Sequence, residues 1–159
     1  MNRCLHCALT IKPGGRKQHY PCPVCGRLTA KITSNTLKLC EKLYAVGFSI
    51  TCAEAFIVLE VEPNSMEACD VIYCNVTFDR CYSKAVFENP PIPNGWEYWS
   101  ETDCLGVDYT GLSLHEVYPA QNITDGKRML KAAIYELRRW CVILSESHSP
   151  DIFRLAGLL

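Results

Sequence analysis

Four cysteines near the start of the chain have the spacing of a metal site. Cys4 and Cys7 form one Cys-x2-Cys pair, and Cys22 and Cys25 form a second pair after fourteen intervening residues. Each pair can place two thiolates on one side of a tetrahedral ion, and two pairs supply the four soft ligands of a structural zinc site. The sequence therefore predicts one structural Zn²⁺ held by these four cysteines, with no coordination position left for water.

The second pair lies within CPVCG, a stretch that resembles the C-terminal knuckle of zinc-ribbon proteins. In that family a proline stiffens the turn and a glycine follows the last ligand, the places that Pro23 and Gly26 take here. The first pair departs from the pattern at Ala8, where a glycine is usual. The resemblance covers residues 1 to about 30 and implies a hairpin between the pairs. Pro13, Gly14 and Gly15 are expected near the tip of this hairpin, with Arg16 and Lys17 exposed beside it.

Three alternatives remain open for the cysteine pairs. A redox site is typical of a single Cys-x2-Cys pair at the start of a helix that follows a strand, so two pairs at this spacing favour zinc. His6 or His19 could replace a ligand, although four cysteines already complete the coordination. A disulfide arrangement predicts S–S bonds of about 2.05 Å and no metal.

Composition indicates one ordinary folded domain plus a small module. The chain has 159 residues, of which 48% are apolar and 21% charged. No apolar run approaches the roughly 20 residues that cross a bilayer, and no basic-then-apolar leader opens the sequence, so we expect a cytoplasmic protein with no membrane contact. In that reducing compartment the other seven cysteines are expected to fill the core as free thiols. They are Cys40, Cys52, Cys69, Cys74, Cys81, Cys104 and Cys141.

Positive charge is concentrated in the first forty residues. Residues 1–40 hold seven cations and no acid, whereas residues 41–159 hold nine cations and all seventeen acids, a formal charge of −8. A basic zinc module of this kind predicts attraction to phosphates and hence contact with nucleic acid. The candidate residues are Arg16, Lys17, Arg27 and Lys31. A protein-docking surface and a plain structural cap remain open as alternatives for the module.

The elements after the cysteines predict an α+β fold. A one-sided apolar stripe favours a helix in SNTLKLCEKLYAVGF, with Ser34 or Asn35 as its cap and Gly47 suited to its end. Patterns of period two favour an antiparallel sheet between about residues 48 and 118, with one face formed by Ile72, Cys74, Val76 and Phe78. A second stripe favours a helix from about residue 124 to 145 packed over the sheet. Its members are Leu130, Ala133, Ile134, Leu137, Cys141 and Leu144. The domains are thus a zinc ribbon at 1–33 and a small antiparallel-sheet domain flanked by helices at 34–159.

Two other groups of residues have both a structural and a functional interpretation. The WEYW segment, residues 96–99, could stack bases, but strand alternation favours core packing for at least one of its faces. The last helix carries cations opposite its apolar stripe, and a solvated face is favoured over contact with phosphate or an acidic partner. These cations are Lys127, Arg128, Lys131, Arg138 and Arg139.

The sequence contains no recognisable catalytic motif. His115 and Glu116 lack the second histidine of a metalloprotease helix, and no phosphate-binding glycine loop or nucleophile elbow is present. We therefore expect a small non-enzymatic regulatory or accessory protein, of the bacterial or phage kind, that contacts nucleic acid through its basic ribbon. The leading alternative is an inhibitor or adaptor whose acidic domain binds a basic protein. An enzyme is the third class, which a pocket holding His115 beside carboxylates would indicate.

Overall fold

One sheet runs through the described part of the chain. The computed structural model describes residues 1–12, 20–61, 68–119 and 123–147. Its strands are β1 (Asn2–Cys4), β2 (Leu9–Ile11), β3 (Ala30–Ile32), β4 (Ile50–Val61), β5 (Ala68–Phe78), β6 (Trp96–Thr102) and β7 (Asp108–Pro119). Its helices are α1 (Leu37–Ala45) and α2 (Ile123–Ser147), with 3₁₀ turns at Ser34–Thr36 and Lys84–Phe87. The strand order is β2-β1-β3-β4-β5-β7-β6 and most pairs are antiparallel, so the predicted α+β class is confirmed.

The long strands β4 and β5 form the centre of the sheet. Their antiparallel register ends with Val61 opposite Ala68, and β7 pairs antiparallel with both β5 and β6. Side-chain alternation separates a buried face from an open one. The predicted inward set is buried, which confirms it: Ile72, Cys74, Val76 and Phe78. The connection between β4 and β5, expected at residues 63–67, lies outside the described residues.

The N-terminal strands extend this sheet. β3 pairs in parallel with β4, with Lys31 opposite Cys52 and Ile32 opposite Ala53. β1 pairs antiparallel with both β3 and β2. Parallel neighbours need a crossover connection, and α1 lies within it. The prediction that the sheet spans only about residues 48–118 is therefore wrong on its N-terminal side, because pairing between distant short strands leaves no periodic pattern in the sequence.

Helix α1 ends as predicted but begins differently. Gly47 follows its last turn with a φ of 109°, a conformation that glycine adopts without steric cost. At the other end, neither Ser34 nor Asn35 caps the helix. Residues 34–36 form a 3₁₀ turn. The Asn35 side-chain oxygen accepts from the Thr33 hydroxyl at 2.6 Å, and its amide donates to the backbone carbonyl of Ala55 at 3.0 Å. This amide therefore fastens the start of α1 to β4.

Helix α2 packs its predicted apolar stripe against the sheet. The buried members are Leu130, Ile134, Leu137, Cys141 and Leu144, with Ala133 partly buried. Trp140, which was not predicted, joins them at 2% exposure. Its indole N–H donates to the Pro90 carbonyl at 2.9 Å, and its ring lies 6.1 Å from that of Phe48. The helix is therefore held by both apolar burial and a satisfied polar group.

The WEYW segment divides between the two faces of the sheet, as alternation predicts. Trp96 is buried and Tyr98 is packed against the core. Trp99 lies on the open face, where its indole N–H donates to Asn75 Oδ1 at 3.1 Å. Gly111 leaves room for this ring, since a Cβ there would lie 2.3 Å from it. Core packing is therefore confirmed for one side of the segment.

Core filling is confirmed for three of the cysteines outside the pairs. Burial raises the pKa of each of these thiols to about 12: Cys40, Cys74 and Cys141. The prediction is wrong for Cys81 and Cys104, which are exposed because they lie in the connections that follow β5 and β6. Cys52 is partly exposed, and the Cys69 side chain lies outside the described residues.

Candidate metal centre

The four predicted ligands lie close together. The sulfur atoms of Cys4, Cys7, Cys22 and Cys25 are all within 4.8 Å of one another. The Cys4 and Cys25 sulfurs are 3.7 Å apart. A tetrahedral ion with metal–sulfur bonds of about 2.3 Å separates its ligand sulfurs by about 3.8 Å. The cluster can therefore hold a metal ion with little movement of that pair.

Two similar turns carry the sulfurs. Cys4 is the last residue of β1, and the backbone N–H of Cys7 donates to the Cys4 sulfur at 3.4 Å. In the second turn the Gly26 N–H donates to the Cys22 carbonyl at 2.8 Å, which closes the loop around the pair. Cys4 and Cys22 are buried, whereas Cys7 and Cys25 are partly exposed. Each turn thus contributes one inner and one outer sulfur.

The residue after each pair takes a left-handed backbone conformation. Gly26 has a φ of 74° and Ala8 a φ of 50°. Among the described residues Ala8 is the only non-glycine with positive φ. The departure from the zinc-ribbon pattern therefore leaves the backbone of the first turn in the same region as the second. The alanine carries a steric cost of about 1–2 kcal/mol that glycine avoids.

The thiols of the cluster differ in how readily they ionise. Burial raises the pKa of Cys22, but the backbone N–H groups of Cys25 and Val24 and the neighbouring thiols outweigh burial and lower it to about 7. A hydrogen bond with the Cys25 thiol, together with burial, raises the pKa of Cys7 to about 12. Ionisation of one thiol opposes ionisation of its neighbours, because the resulting thiolates carry like charges. A divalent cation reverses this relation, since it binds all four groups as thiolates.

Among the described residues, His6 does not join the cysteine cluster. His6 is exposed, and its Nδ1 lies 3.3 Å from the Tyr44 hydroxyl. His19 lies outside the described residues. The four cysteines form the one cluster of potential metal ligands within residues 1–12, 20–61, 68–119 and 123–147. The ten cysteines described are all free thiols, so no disulfide links the pairs.

The predicted phosphate-binding cations are only partly described. Arg16, Lys17 and the expected hairpin tip lie outside the described residues. Arg27 is exposed and its guanidinium donates to the Tyr44 hydroxyl at 3.4 Å, on the helix side of the sheet. Lys31 lies on the opposite side, and its ammonium is 3.1 Å from a carboxylate oxygen of Glu54, which raises the pKa of Lys31. Arg27 and Lys31 therefore do not share one surface.

A cleft of about 470 Å³ lies between the metal turns and the helix side of the sheet. Arg27, Tyr44 and Arg80 are among its lining residues. Asp79 also lines it and forms an ion pair with Arg80 at 3.6 Å. Arg27 is therefore the cation of this cleft that contacts a neutral partner.

The polar residue that the sequence singled out for possible catalysis lies elsewhere. His115 is exposed on the open face of the sheet, and its ring stacks on that of Tyr73 at 4.7 Å. Phe56 lies on the far side of Tyr73, with ring centroids 5.4 Å apart. The three rings face one another across adjacent strands, which is a cross-strand stabilising arrangement.

A second basic surface, which the sequence did not predict, lies between the two helices. A groove of about 540 Å³ is lined by four cations together with apolar and polar side chains. One of these cations comes from α1 and three come from α2: Lys38, Lys127, Lys131 and Arg138. Cations on α2 were visible in the sequence, but their neighbour on α1 is about ninety residues away in the chain, so no local pattern joins them.

No protein-family model, no curated protein and no solved structure matches this chain. Within the described residues, neither helix is long and apolar enough to cross a membrane. Interpretation of the site therefore depends on its chemistry and geometry.

Proposed function

We propose that this chain is a zinc-stabilised, non-catalytic accessory protein that contacts nucleic acid through its basic N-terminal module. The observation that carries the proposal is the four-cysteine cluster within a segment of forty residues that has seven cations and no acid. Zn²⁺ is the ion that four cysteines at this spacing select, and it would act as a structural cross-link.

The module keeps its positive charge when metal is bound. Four thiolates on Zn²⁺ carry a net charge of −2, so the seven cations leave about +5. Two carboxylates from the rest of the chain neutralise part of this charge, because Glu54 pairs with Lys31 and Glu41 pairs with Arg3. Within the described residues Arg27 contacts the Tyr44 hydroxyl rather than a carboxylate, and it is the described residue that we assign to phosphate contact.

A salt titration tests the nucleic-acid proposal. Fluorescence anisotropy of random single-stranded DNA and RNA is measured with the zinc-loaded full chain at two salt concentrations. Because binding to phosphates releases counterions, we expect affinity to fall steeply with salt. Arg27→Glu, and separately the double variant Arg16→Glu and Lys17→Glu, should weaken binding to both oligonucleotides.

Lys84→Glu is the matched control for this titration. Lys84 is an exposed cation outside residues 1–40 that does not line the cleft beside Arg27, and it is already 3.5 Å from Glu88, so its charge reversal should leave oligonucleotide binding nearly unchanged. Equal loss in Arg27→Glu and Lys84→Glu would indicate a general charge effect and refute the assignment. Absence of salt-sensitive binding to either oligonucleotide would refute the proposal as a whole.

A second candidate function is an adaptor that binds a basic protein through its acidic part. The distribution of charge favours it, because residues 48–119 hold twelve acids and two cations. Glu97 and Glu101 are exposed on β6, at one edge of the sheet. A lysine-rich peptide should bind the chain, and the double variant Glu97→Lys and Glu101→Lys should weaken this binding. Unchanged affinity in that variant would exclude this surface.

A further inference from the structure

The groove between α1 and α2 has an apolar floor. Leu130 and Ile134 of α2 and Leu37 of α1 line it. The first two are 6% and 7% exposed, so they form a continuous part of the core, and Leu37 is partly buried against that core. Tyr135, which is 54% exposed, adds an aromatic ring at the edge. Burial of a ligand's apolar groups against such a floor is favourable.

The rim of the groove is uniformly positive. Its cations are Lys38, Lys127, Lys131 and Arg138, and no described carboxylate lines it. Within the described part of the chain none of these four forms an ion pair. Two cations of α2 outside the groove do: Arg128 lies 3.2 Å from Asp125, and Arg139 lies 3.5 Å from Glu136. The acids of α2 are thus placed away from the groove.

Arg138 has hydrogen-bonding capacity that the described residues do not use. Its side chain is half-buried, and its Nε has no hydrogen-bond partner among them. A guanidinium binds a carboxylate through two parallel N–H groups, and such pairs are stronger than neutral hydrogen bonds. Arg138 lines this end of the groove and adds positive charge there, which favours a carboxylate, although its Nε is itself buried.

The length of the groove matches a short helix. Its α2 residues begin at Lys127 and end at Arg138, eleven positions apart and on one face of the helix. At 1.5 Å per residue this distance is about 16 Å, which is about three turns of a partner helix. An amphipathic helix that lies in an apolar groove uses anchor residues at this same spacing.

We propose that this groove binds an amphipathic α-helix of a partner protein, about three turns long, with leucine-type side chains on the floor and carboxylates toward the rim. Nucleic acid fits less well, because phosphates gain from the cations but an aliphatic floor offers them nothing. Tyr135 is the one aromatic side chain that lines the groove in the described residues, so base stacking has little support. The groove does not include the four cysteines or Arg27, although Lys38 is one of the seven cations of residues 1–40, and it adds a protein partner to the proposed function.

The charge distribution of the whole chain supports an acidic occupant. Residues 48–119, which form β4 to β7 and their connections, carry a formal charge of −10 from twelve acids and two cations. An acidic peptide is repelled from this part and attracted to the helices. Such a field raises the association rate and favours one orientation of approach.

The test uses a designed probe and the zinc-loaded full chain. The probe is a fluorescein-labelled peptide of about fifteen residues, with leucines at spacings of three and four and glutamates beside them. A twin has lysine in place of each glutamate, and a shuffled peptide has the same composition without the stripe. Anisotropy titrations should show saturable binding of the acidic probe alone, weakened by salt.

Two variants and two matched controls locate the binding surface. Lys131→Glu should raise the dissociation constant of the acidic probe at least about tenfold, and Tyr135→Glu at least about fivefold. Arg128→Glu and Ile143→Glu change exposed residues of the same helix outside the groove, and each should stay within about twofold of the parent chain. All four side chains are exposed, so the fold should persist, which circular dichroism checks.

Each other outcome would overturn the proposal. Equal binding of the lysine twin or the shuffled peptide would remove the requirement for acids or for a stripe. Equal loss in Arg128→Glu and Lys131→Glu would replace the groove with a general charge effect. If a random oligonucleotide displaces the acidic probe, and Lys131→Glu weakens binding of that oligonucleotide, the groove is a nucleic-acid surface. Arg27→Glu should leave peptide binding intact, so failure of this inference is distinct from failure of the proposed nucleic-acid contact.

Discussion

Replacing Ala8 with glycine should strengthen zinc binding. Ala8 has a φ of 50°, and a left-handed alanine costs about 1–2 kcal/mol. Glycine removes this cost but adds about 0.5–1 kcal/mol of unfolded-state entropy. The net stabilisation is about 0.5–1 kcal/mol. Because folding of so small a module is coupled to metal binding, this energy should appear as a zinc affinity about two- to fivefold tighter.

Gly26→Ala is the opposite experiment at the equivalent place in the second turn. Gly26 has a φ of 74°, and a Cβ added there would meet nothing within 4 Å, so the cost is conformational alone. We expect zinc binding to weaken by about fivefold, from a loss of about 1 kcal/mol. Gly106→Ala is the control, since Gly106 has a φ of 77° and equally open surroundings in the connection between β6 and β7. It should lower the free energy of unfolding and leave zinc affinity unchanged.

Competition with a chromophoric zinc chelator measures these affinities, and thermal unfolding in excess zinc measures stability. The expected order of zinc affinity is Ala8→Gly, then the parent and Gly106→Ala together, then Gly26→Ala. An unchanged or weaker affinity in Ala8→Gly would refute the assigned strain. A loss in Gly106→Ala equal to that in Gly26→Ala would show that the metal reports general stability.

Three further predictions concern the metal, the thiols and the open face of the sheet. Cys25→Ser should lower the zinc content well below one equivalent, which elemental analysis measures. It should also broaden the amide resonances of residues before 33, while α2 remains helical. In native protein at pH 8, iodoacetamide should label the exposed thiols of Cys81 and Cys104, located by mass spectrometry. The buried thiols of Cys40, Cys74 and Cys141 have a pKa of about 12, so only about one in ten thousand is a thiolate at this pH, and they should stay unlabelled. Gly111→Ala should reduce the free energy of unfolding by at least about 2 kcal/mol in a urea titration, since its Cβ would lie 2.3 Å from the Trp99 ring, and adding Trp99→Ala should restore part of it.

Local patterns in the sequence predicted the elements that bury one face. The stripe of α2 and the alternation in β5 arise because each side chain's position on a helix or strand is fixed by its neighbours in the chain. The cysteine pairs were equally visible, since a Cys-x2-Cys turn is local. Their approach in space, with sulfurs within 4.8 Å, agrees with that expectation.

Long-range pairing accounts for most of what the sequence did not predict. The pairing of Lys31 with Cys52 joins three-residue and twelve-residue strands across α1, and strands of three residues are too short to show a period. The same limit applies to the groove, which Lys38 and Lys131 line together only because the two helices pack against each other. The cap at Asn35 was wrong because its side-chain oxygen, the atom that would accept a helix N–H, accepts from the Thr33 hydroxyl at 2.6 Å, while its NH2 group donates to the Ala55 carbonyl on β4.

The parallel pairing of β3 with β4 also bears on the order in which the chain is completed during synthesis. Residues 1–33 leave the ribosome before β4, and β3 has no pairing partner on its inner side until β4 has been made and positioned by α1. Until then β1 to β3 are only three residues each, which is too little sheet to persist without help. Early capture of zinc would hold the four thiols together and protect them from oxidation during this interval. Residues 1–33 would thus be translated before the strand that completes the backbone hydrogen bonds of β3.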